Sequence, residues 1–215
     1  MRPILYGYFR SSCSYRVRMA LHYKKIDFEY RAVNLKDGSE QLKDGFISLN
    51  PRGEVPYFSH GGIGLSQSMA IIQYIDRLWS KSPLFPKNDV DYCKCMELCE
   101  MINTGIQPIQ NLAVIKYVIS TFNRTPEERG HWSKHWIEKG FQALEAKLSV
   151  CAGTYAVGDE ISACDLFLVP QVYNALRFKM DMTQFPVINR VYTNCMKLDW
   201  VEASAPENQP DCTGV

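Results

Sequence analysis

Strand-like patterns occur only before about residue 82 of this 215-residue chain, and helical patterns fill most of the remainder. Residues 3–8 form a short apolar run typical of a strand, and apolar side chains recur at helical spacing over residues 13–21. Residues 28–35 alternate as a second strand does. This order of strand, helix and strand predicts a parallel pair joined by a crossover.

The rest of this first part has the pattern of a hairpin followed by a helix. A short helix is expected around residues 41–49, and a third strand begins at residues 54–58. Gly61 and Gly62 predict a hairpin turn into residues 63–65. Residues 69–79 then predict a helix, and residues 82–89, with two prolines and no periodicity, predict a linker.

After the linker the patterns are helical. Residues 90–122 form a long helical pattern interrupted by Gly105 and Pro108. Capping boxes at residues 125–128 and 162–165 predict helices to about residues 148 and 176. One more helix is expected at residues 186–198, before a polar, loop-like tail at residues 204–215. The sequence therefore predicts an α/β domain at residues 1–82, ordered β-α-β then β-β-α, and an all-α domain at residues 88–215.

Charge and composition exclude several classes of protein. The chain has 24 basic and 23 acidic residues, so it lacks the basic field of a nucleic-acid-binding protein and the polybasic cluster of a membrane-surface protein. We find no signal peptide and no membrane span in the sequence, so we expect a cytoplasmic protein with eight reduced cysteines. We also expect no metal site, because the histidines and cysteines lack the spacing of a ligand set; the closely spaced ones are Cys93, Cys95, Cys99, His131 and His135.

The first candidate site is the segment Ser11, Ser12 and Cys13, between a predicted strand and a helix N-terminus. A helix N-terminus favours an anion. That anion could be the Cys13 thiolate, or the thiolate of a ligand that accepts hydrogen bonds from the serine hydroxyls. The alternative is structural, with the serines serving only as N-caps and Cys13 facing the core.

Two further segments could bind a ligand. Val55-Pro56 at a strand start suggests a cis peptide that presents backbone groups to an extended peptide, although most such bonds are trans. Gln67 and Ser68 at the next helix start suit a carboxylate, or form an ordinary N-cap.

Taken together, these segments resemble a known family. Residues 11–18 are similar to the signature of zeta-class glutathione transferases, in which tryptophan usually stands at the position of Tyr15. Residues 67–72, 105–112, 155–160, 169–172, 177–179 and 209–211 also resemble that class, so the resemblance covers nearly the whole chain. It implies the cytosolic glutathione transferase fold, with a thioredoxin-like N-terminal domain followed by a helical one.

The resemblance also implies the residues of a glutathione site. Ser11, Ser12 and Cys13 would surround the sulfur, with either serine holding it as a thiolate, and Arg10 and Arg177 would bind substrate carboxylates. Gln107 and Asn111 would lie on the first long helix of the second domain and line a cleft between the domains. The other implied glutathione contacts are Ser14, Tyr15, Arg16, Gln41, Val55, Pro56, Gln67 and Ser68.

The class includes maleylacetoacetate isomerases. The resemblance therefore implies a homodimeric enzyme of phenylalanine and tyrosine breakdown that uses glutathione to convert maleylacetoacetate, a small dicarboxylate, to fumarylacetoacetate. A detoxifying transferase acting on small α-halo acids is an alternative, as is a thiol-transferase that uses Cys13. A dithiol cycle is excluded because Arg16 stands where a second cysteine would be needed. A scaffold without catalysis would lack the serines, which are intact.

Overall fold

A computed structural model describes residues 1–36 and 39–213 of the chain. These residues belong to two compact units: Met1–Pro83 together with Met196–Val215 (unit 1), and Leu84–Cys195 (unit 2). The last two residues of the predicted loop-like tail, Gly214 and Val215, lie outside the described residues, as do Asp37 and Gly38.

Unit 1 is built on a mixed sheet. Its strands within the described residues are Ile4–Gly7 (β1), Glu29–Ala32 (β2), Tyr57–His60 (β3) and Ile63–Ser66 (β4), in the order β2-β1-β3-β4. β1 and β2 are parallel and are joined by helix α1 (Ser12–Tyr23), whereas β3 is antiparallel to both β1 and β4. The predicted crossover and hairpin are confirmed.

The two longest helices of unit 1 pack together. Helix α1 and helix α3 (Ser68–Leu78) pack against each other, and a short helix, α2 (Asp44–Ile47), precedes β3. Lys24, just after α1, donates to Asp76 Oδ1 at 2.5 Å and to the Trp79 carbonyl at 2.8 Å. This contact joins the C-terminal ends of α1 and α3, so their N-terminal ends lie on the same side of unit 1.

Unit 2 is helical, as predicted, and both capping boxes are confirmed at Thr125 and Ser162. Helix α7 is buried along most of its length and packs against α4 and α8. The α-helices of the described part of unit 2 are α4 (Asp89–Asn103), α5 (Leu112–Phe122), α6 (Pro126–Cys151), α7 (Ala163–Arg177) and α8 (Pro186–Cys195). None of the helices in the described residues of the chain is both long and apolar enough to cross a membrane.

The placement of Gln107 and Asn111 on the first long helix is wrong. Helix α4 ends at Asn103, and the two residues flank a 3-10 helix, Pro108–Gln110. Pro108 has no N–H with which to continue the α-helical hydrogen-bond pattern, so the helical pattern of residues 90–122 is interrupted there.

The C-terminal segment also differs from its predicted place. Residues 196–215, expected in the helical domain, are grouped with unit 1, and helix α8 ends at Cys195 rather than near residue 198. A further helix, α9 (Asp199–Ser204), packs on α1, where Trp200 meets Tyr23 edge to face with ring centroids 5.2 Å apart. The segment stays on unit 1 because it supplies partners to polar groups there, including the Ser204 carbonyl that accepts from Arg18 Nε at 2.9 Å.

Candidate active site

The strand register of unit 1 brings the three candidate segments to one end of the sheet. β1 ends at Gly7, β3 starts at Tyr57 opposite Tyr6, and β4 ends at Ser66 opposite Tyr57. The residues after β1, before β3 and after β4 therefore all lie at the end where β1 terminates. We call this the β1 carboxyl end.

At the first turn of α1 the two serines have different surroundings. Ser11 is the N-cap, and its Oγ accepts a hydrogen bond from Ser14 N at 3.2 Å. Ser12 is 8% exposed, and its hydroxyl makes no hydrogen bond to any other described residue. The structural alternative of serines that serve only as N-caps fits Ser11 but leaves the Ser12 hydroxyl unexplained.

The same turn is open to an anion. Helix α1 has no acidic residue in its first turn, so no side chain of its own balances the partial positive charge of its N-terminus. Cys13 is half-buried with a free thiol, in contrast to Val17, which is fully buried one turn later. Cys13 is thus less completely buried than the core position one turn after it.

Ser14, Tyr15 and Arg16 are buried behind this turn. Ser14 Oγ accepts from Tyr8 N at 3.5 Å, and Arg16 Nη1 donates to Ser68 Oγ at 3.2 Å. Tyr15, at the position where tryptophan is usual in the class that the sequence resembles, is a core residue. The Arg16–Ser68 contact connects the N-terminal turns of α1 and α3.

The Val55-Pro56 peptide bond is cis, as the sequence suggested. The Val55 N–H and C=O, just outside β3, have no hydrogen-bond partner among the described residues. Asn50 Nδ2 donates to the Glu54 carbonyl at 2.6 Å and so holds the turn that leads to Val55. An extended peptide could pair with the two free backbone groups as an added strand does.

Gln67 stands at the N-cap position of α3 with φ of +73°, in the left-handed region that residues other than glycine rarely adopt. Its side chain is exposed and makes no capping bond, and the first turn of α3 contains no acidic residue. Residues held in such conformations concentrate at ligand sites. This conformation depends on the tertiary structure, and no pattern in the sequence predicted it.

Gln41 lies in a 3-10 helix, Glu40–Leu42, and is 7% exposed. Its Oε1 atom is buried, and no described residue donates a hydrogen bond to it. A buried amide oxygen without a donor costs about 1–3 kcal/mol, so an N–H group of a ligand would be stabilised there.

Of the remaining predicted site residues, Arg10 lies at this end because it directly precedes Ser11, whereas Gln107, Asn111 and Arg177 belong to unit 2. In unit 2, Gln107 and Asn111 are half-buried, and Arg177 is the exposed last residue of α7, where its Nη1 donates to Asn174 Oδ1 at 3.3 Å. Arg10, in unit 1, is half-buried with its guanidinium 5.0 Å from the Phe9 ring centroid. The cleft predicted for Gln107 and Asn111 stays a prediction.

Within the described residues, the cysteines of unit 2 do not form a binding site like the one at the β1 carboxyl end. Cys95, Cys99 and Cys164 are buried where α4 packs on α7, and burial raises the pKa of the Cys99 thiol well above its ordinary value, so that thiol stays protonated. Across the described residues, no group of three or more His, Cys, Asp or Glu side chains could hold a metal ion. His131 and His135 are exposed on α6.

Sequence reasoning missed one contact at the β1 carboxyl end. The Asp211 carboxylate of the C-terminal segment accepts from Phe9 N at 2.9 Å and from the Tyr30 hydroxyl at 3.3 Å. Residues 209–211 carried a family resemblance, but their pattern alone does not indicate a partner so distant in the chain.

Known proteins are similar to this chain over nearly its whole length. The family models of the glutathione S-transferase N-terminal and C-terminal domains match residues 1–77 and 133–199. A probable maleylacetoacetate isomerase of Vibrio cholerae is 42% identical over 98% of this chain and 99% of its own length.

Solved structures of other proteins are also similar to this chain over nearly its whole length. A bacterial maleylpyruvate isomerase, described as a zeta-class glutathione S-transferase, superimposes with a TM-score of 0.94 at 37% identity, over 97% of this chain and 99% of that one. A maleylacetoacetate isomerase of Anaeromyxobacter dehalogenans, with bound dicarboxyethyl glutathione and citrate, superimposes with a TM-score of 0.87 at 32% identity. The match covers 99% of this chain and 98% of that one. This chain therefore belongs to the glutathione S-transferase family of enzymes, in its zeta class.

Proposed function

We propose that this protein is an isomerase that uses glutathione to convert maleylacetoacetate, the substrate named for several of its relatives, to fumarylacetoacetate. One observation carries the proposal: polar groups that have no partner among the described residues gather in unit 1, at or near the β1 carboxyl end of the sheet. They are the Ser12 hydroxyl, the Val55 N–H and C=O, the Gln67 side chain and Gln41 Oε1. Glutathione, a tripeptide with a thiol, two amides and two carboxylates, has a matching group for each.

The peptide part of glutathione binds as an added strand. Its cysteinyl unit pairs with the backbone of Val55, which the cis bond to Pro56 presents. Its γ-glutamyl carboxylate lies at the start of α3 with Gln67 and Ser68. The N–H of its glycyl unit donates to Gln41 Oε1. Ser14, Tyr15 and Arg16 support these contacts from behind.

The sulfur of glutathione lies at the first turn of α1. Ser12 donates a hydrogen bond to the thiolate, and the partial charge of the helix N-terminus adds to its stabilisation, so the pKa of the bound thiol is lowered. Ser11, whose oxygen already accepts from Ser14 N, holds the turn in place. Cys13 lies beside the sulfur without forming a bond to it.

The reaction needs only an addition and its reversal. The thiolate forms a carbon–sulfur bond to the cis double bond, and the displaced electron pair moves to the conjugated carbonyl oxygen as an enolate. The former double bond is then single and rotates. The enolate pair returns, the double bond forms again in the trans geometry, and the carbon–sulfur bond breaks to release the thiolate. Glutathione is regenerated and no proton is consumed.

Two arginines bind the substrate carboxylates. Arg10 stands beside the serines in unit 1, and Arg177 stands exposed at the end of α7 in unit 2. A guanidinium binds a carboxylate through two parallel hydrogen bonds, which fixes the orientation of the substrate. The solved relative with dicarboxyethyl glutathione and citrate supports a dicarboxylate pocket in proteins of this kind.

The biological setting is part of the proposal. The enzyme acts in the breakdown of phenylalanine and tyrosine, in the cytoplasm and as a homodimer, on a small dicarboxylate without any nucleic acid or membrane partner. The same thiolate also displaces halide from small α-halo acids, which would be a transferase side activity of this site.

The test is an assay of one preparation on three substrates. With glutathione we expect maleylacetoacetate to be converted to fumarylacetoacetate, without loss of glutathione, and no conversion when glutathione is omitted. Maleylpyruvate and dichloroacetate are assayed in parallel. Faster turnover of maleylpyruvate would reassign the substrate, and turnover of dichloroacetate alone would indicate a detoxifying transferase. Absence of maleylacetoacetate conversion at saturating glutathione would overturn the proposal.

A further inference from the structure

The loop between β1 and α1, which leads to Ser11 and Ser12, is hydrogen-bonded to Asp211 of the C-terminal segment. Phe9 lies in this loop, between β1 and the N-cap of α1. Its N–H donates to Asp211 Oδ2 at 2.9 Å, and its carbonyl accepts from Arg18 Nη2 at 3.0 Å. Both backbone polar groups of Phe9 are therefore held by charged side chains.

Arg18 connects the loop to the C-terminal segment. It is a fully buried residue of α1, and its Nε donates to the Ser204 carbonyl at 2.9 Å while Nη1 lies 3.5 Å from the Tyr8 carbonyl. A buried guanidinium needs acceptors for its donors, and here they come from the loop and from the end of α9.

The two oxygens of the Asp211 carboxylate have different surroundings. Its Oδ2 also accepts from the Tyr30 hydroxyl at 3.3 Å, whereas its Oδ1 is buried and has no hydrogen-bond partner among the described residues. The Tyr30 ring reaches Asp211 by passing close to Gly7, where a Cβ atom would lie 3.0 Å from the ring. Burying a carboxylate oxygen without a donor costs free energy, and the two hydrogen bonds that Oδ2 accepts act against that cost.

We propose that Asp211 is a positioning residue for the sulfur-binding turn. Through Phe9 it fixes the loop, the loop fixes the N-cap turn in which Ser11 N donates to the Tyr8 carbonyl at 2.9 Å, and that turn aims the Ser12 hydroxyl. The proposal rests on the proposed role of this turn in binding the thiolate of glutathione.

The opposing explanation is that Asp211 only anchors the C-terminal segment. Two substitutions at this position separate geometry from charge. Asp211→Asn keeps an oxygen acceptor for Phe9 N–H and removes the charge, whereas Asp211→Glu keeps the charge and moves the oxygen by one methylene. Trp200→Leu loosens α9 from Tyr23 without touching Asp211, and Glu202→Ala removes an exposed acid from the same segment.

The readout is the ionisation of bound glutathione, followed by the ultraviolet absorbance of the thiolate as pH is varied, with kcat and thermal stability measured alongside. We expect Asp211→Ala and Asp211→Glu to raise the pKa of the bound thiol by about one unit and to lower kcat about tenfold, with a smaller change in KM for glutathione. Asp211→Asn, Trp200→Leu and Glu202→Ala should stay within about twofold of the wild type in kcat.

Other outcomes would overturn the proposal. If Asp211→Asn shifts the thiol pKa and Asp211→Glu does not, the charge and not the geometry matters. If Trp200→Leu has the same effect, Asp211 is only an anchor. If the Asp211→Ala variant does not fold, the Asp211→Glu variant still tests whether the position of the carboxylate affects the pKa of the bound thiol. A wild-type protein that binds no glutathione would instead be a failure of the proposed function, which this titration shows without any isomerase substrate.

Discussion

The N-terminal turns of α1 and α7 both begin with a serine, yet they are completed differently. At α7, the Asp165 carboxylate accepts from Ser162 N at 2.8 Å, from Ser162 Oγ at 3.0 Å and from Ala156 N at 2.8 Å. At α1, Ser11 caps the helix, no acid stands in the first turn, and the Ser12 hydroxyl has no partner among the described residues.

This difference separates a structural helix start from a binding one. Every helix N-terminus favours a negative charge because its first N–H groups have no partners within the helix. Helix α7 supplies that charge from its own third residue, and the carboxylate is buried there. Helix α1 supplies none, and in our proposal the glutathione thiolate provides the negative charge there.

The largest expected effect is on α7. Asp165→Ala leaves the N–H groups of Ala156 and Ser162 buried without an acceptor, so we expect a loss of about 4 kcal/mol in the free energy of unfolding. Urea unfolding measures it, with Ser162→Ala as the matched control because it removes only the hydroxyl and should cost about 1 kcal/mol. A loss below about 1 kcal/mol for Asp165→Ala would show that the capping box is dispensable.

The second prediction concerns pH. Burial raises the pKa of Asp165 from 3.8 to about 6, so the folded protein binds this proton more tightly than the unfolded chain does. The stabilisation from this proton is present in full below about pH 4 and is lost as the pH rises through about 6, a change of up to about 3 kcal/mol. Subtracting the unfolding free energy of Asp165→Asn from that of the wild type at each pH isolates this contribution. A difference that does not vary with pH would contradict the assignment.

The third prediction concerns the open turn of α1. Ser12→Ala should lower kcat about a hundredfold, equivalent to about 2.7 kcal/mol, with a smaller change in KM for glutathione, because the hydrogen bond to the thiolate is lost. Ser11→Ala should mainly weaken the helix cap, by about 1 kcal/mol in the free energy of unfolding. If Cys13→Ala lowers kcat more than Ser12→Ala does, the cysteine and not the serine is the group that acts on the sulfur.

The capping boxes show what sequence alone predicts well. The N-cap residue and its acidic partner are three positions apart. A capping box therefore involves only residues that are close in sequence, and the sequence predicts it at Thr125 and Ser162. The order of strands and helices in unit 1 was predictable for the same reason. The register then brings Ser12, Val55 and Gln67 to one end of the sheet, which joins the three weak signals into one candidate site.

What the sequence did not reveal depends on distant contacts. The Phe9–Asp211 hydrogen bond joins residues 202 positions apart. The left-handed conformation of Gln67 and the orphaned oxygen of Gln41 likewise arise from packing. The family resemblance named Tyr15 and Arg16 as ligand contacts because they stand within the matching motif, but a motif does not tell which of its side chains face the core.

The return of residues 196–215 to unit 1 has a consequence for synthesis of the protein. A chain is made from its N-terminus, and domains generally fold as they emerge from the ribosome. Residues 1–83 are made first, but Arg18 and Phe9 gain their partners at Ser204 and Asp211 only after all of unit 2 has been made. The unit that starts first on the ribosome is thus completed last, and during this interval the loop before α1 lacks the contacts from the C-terminal segment.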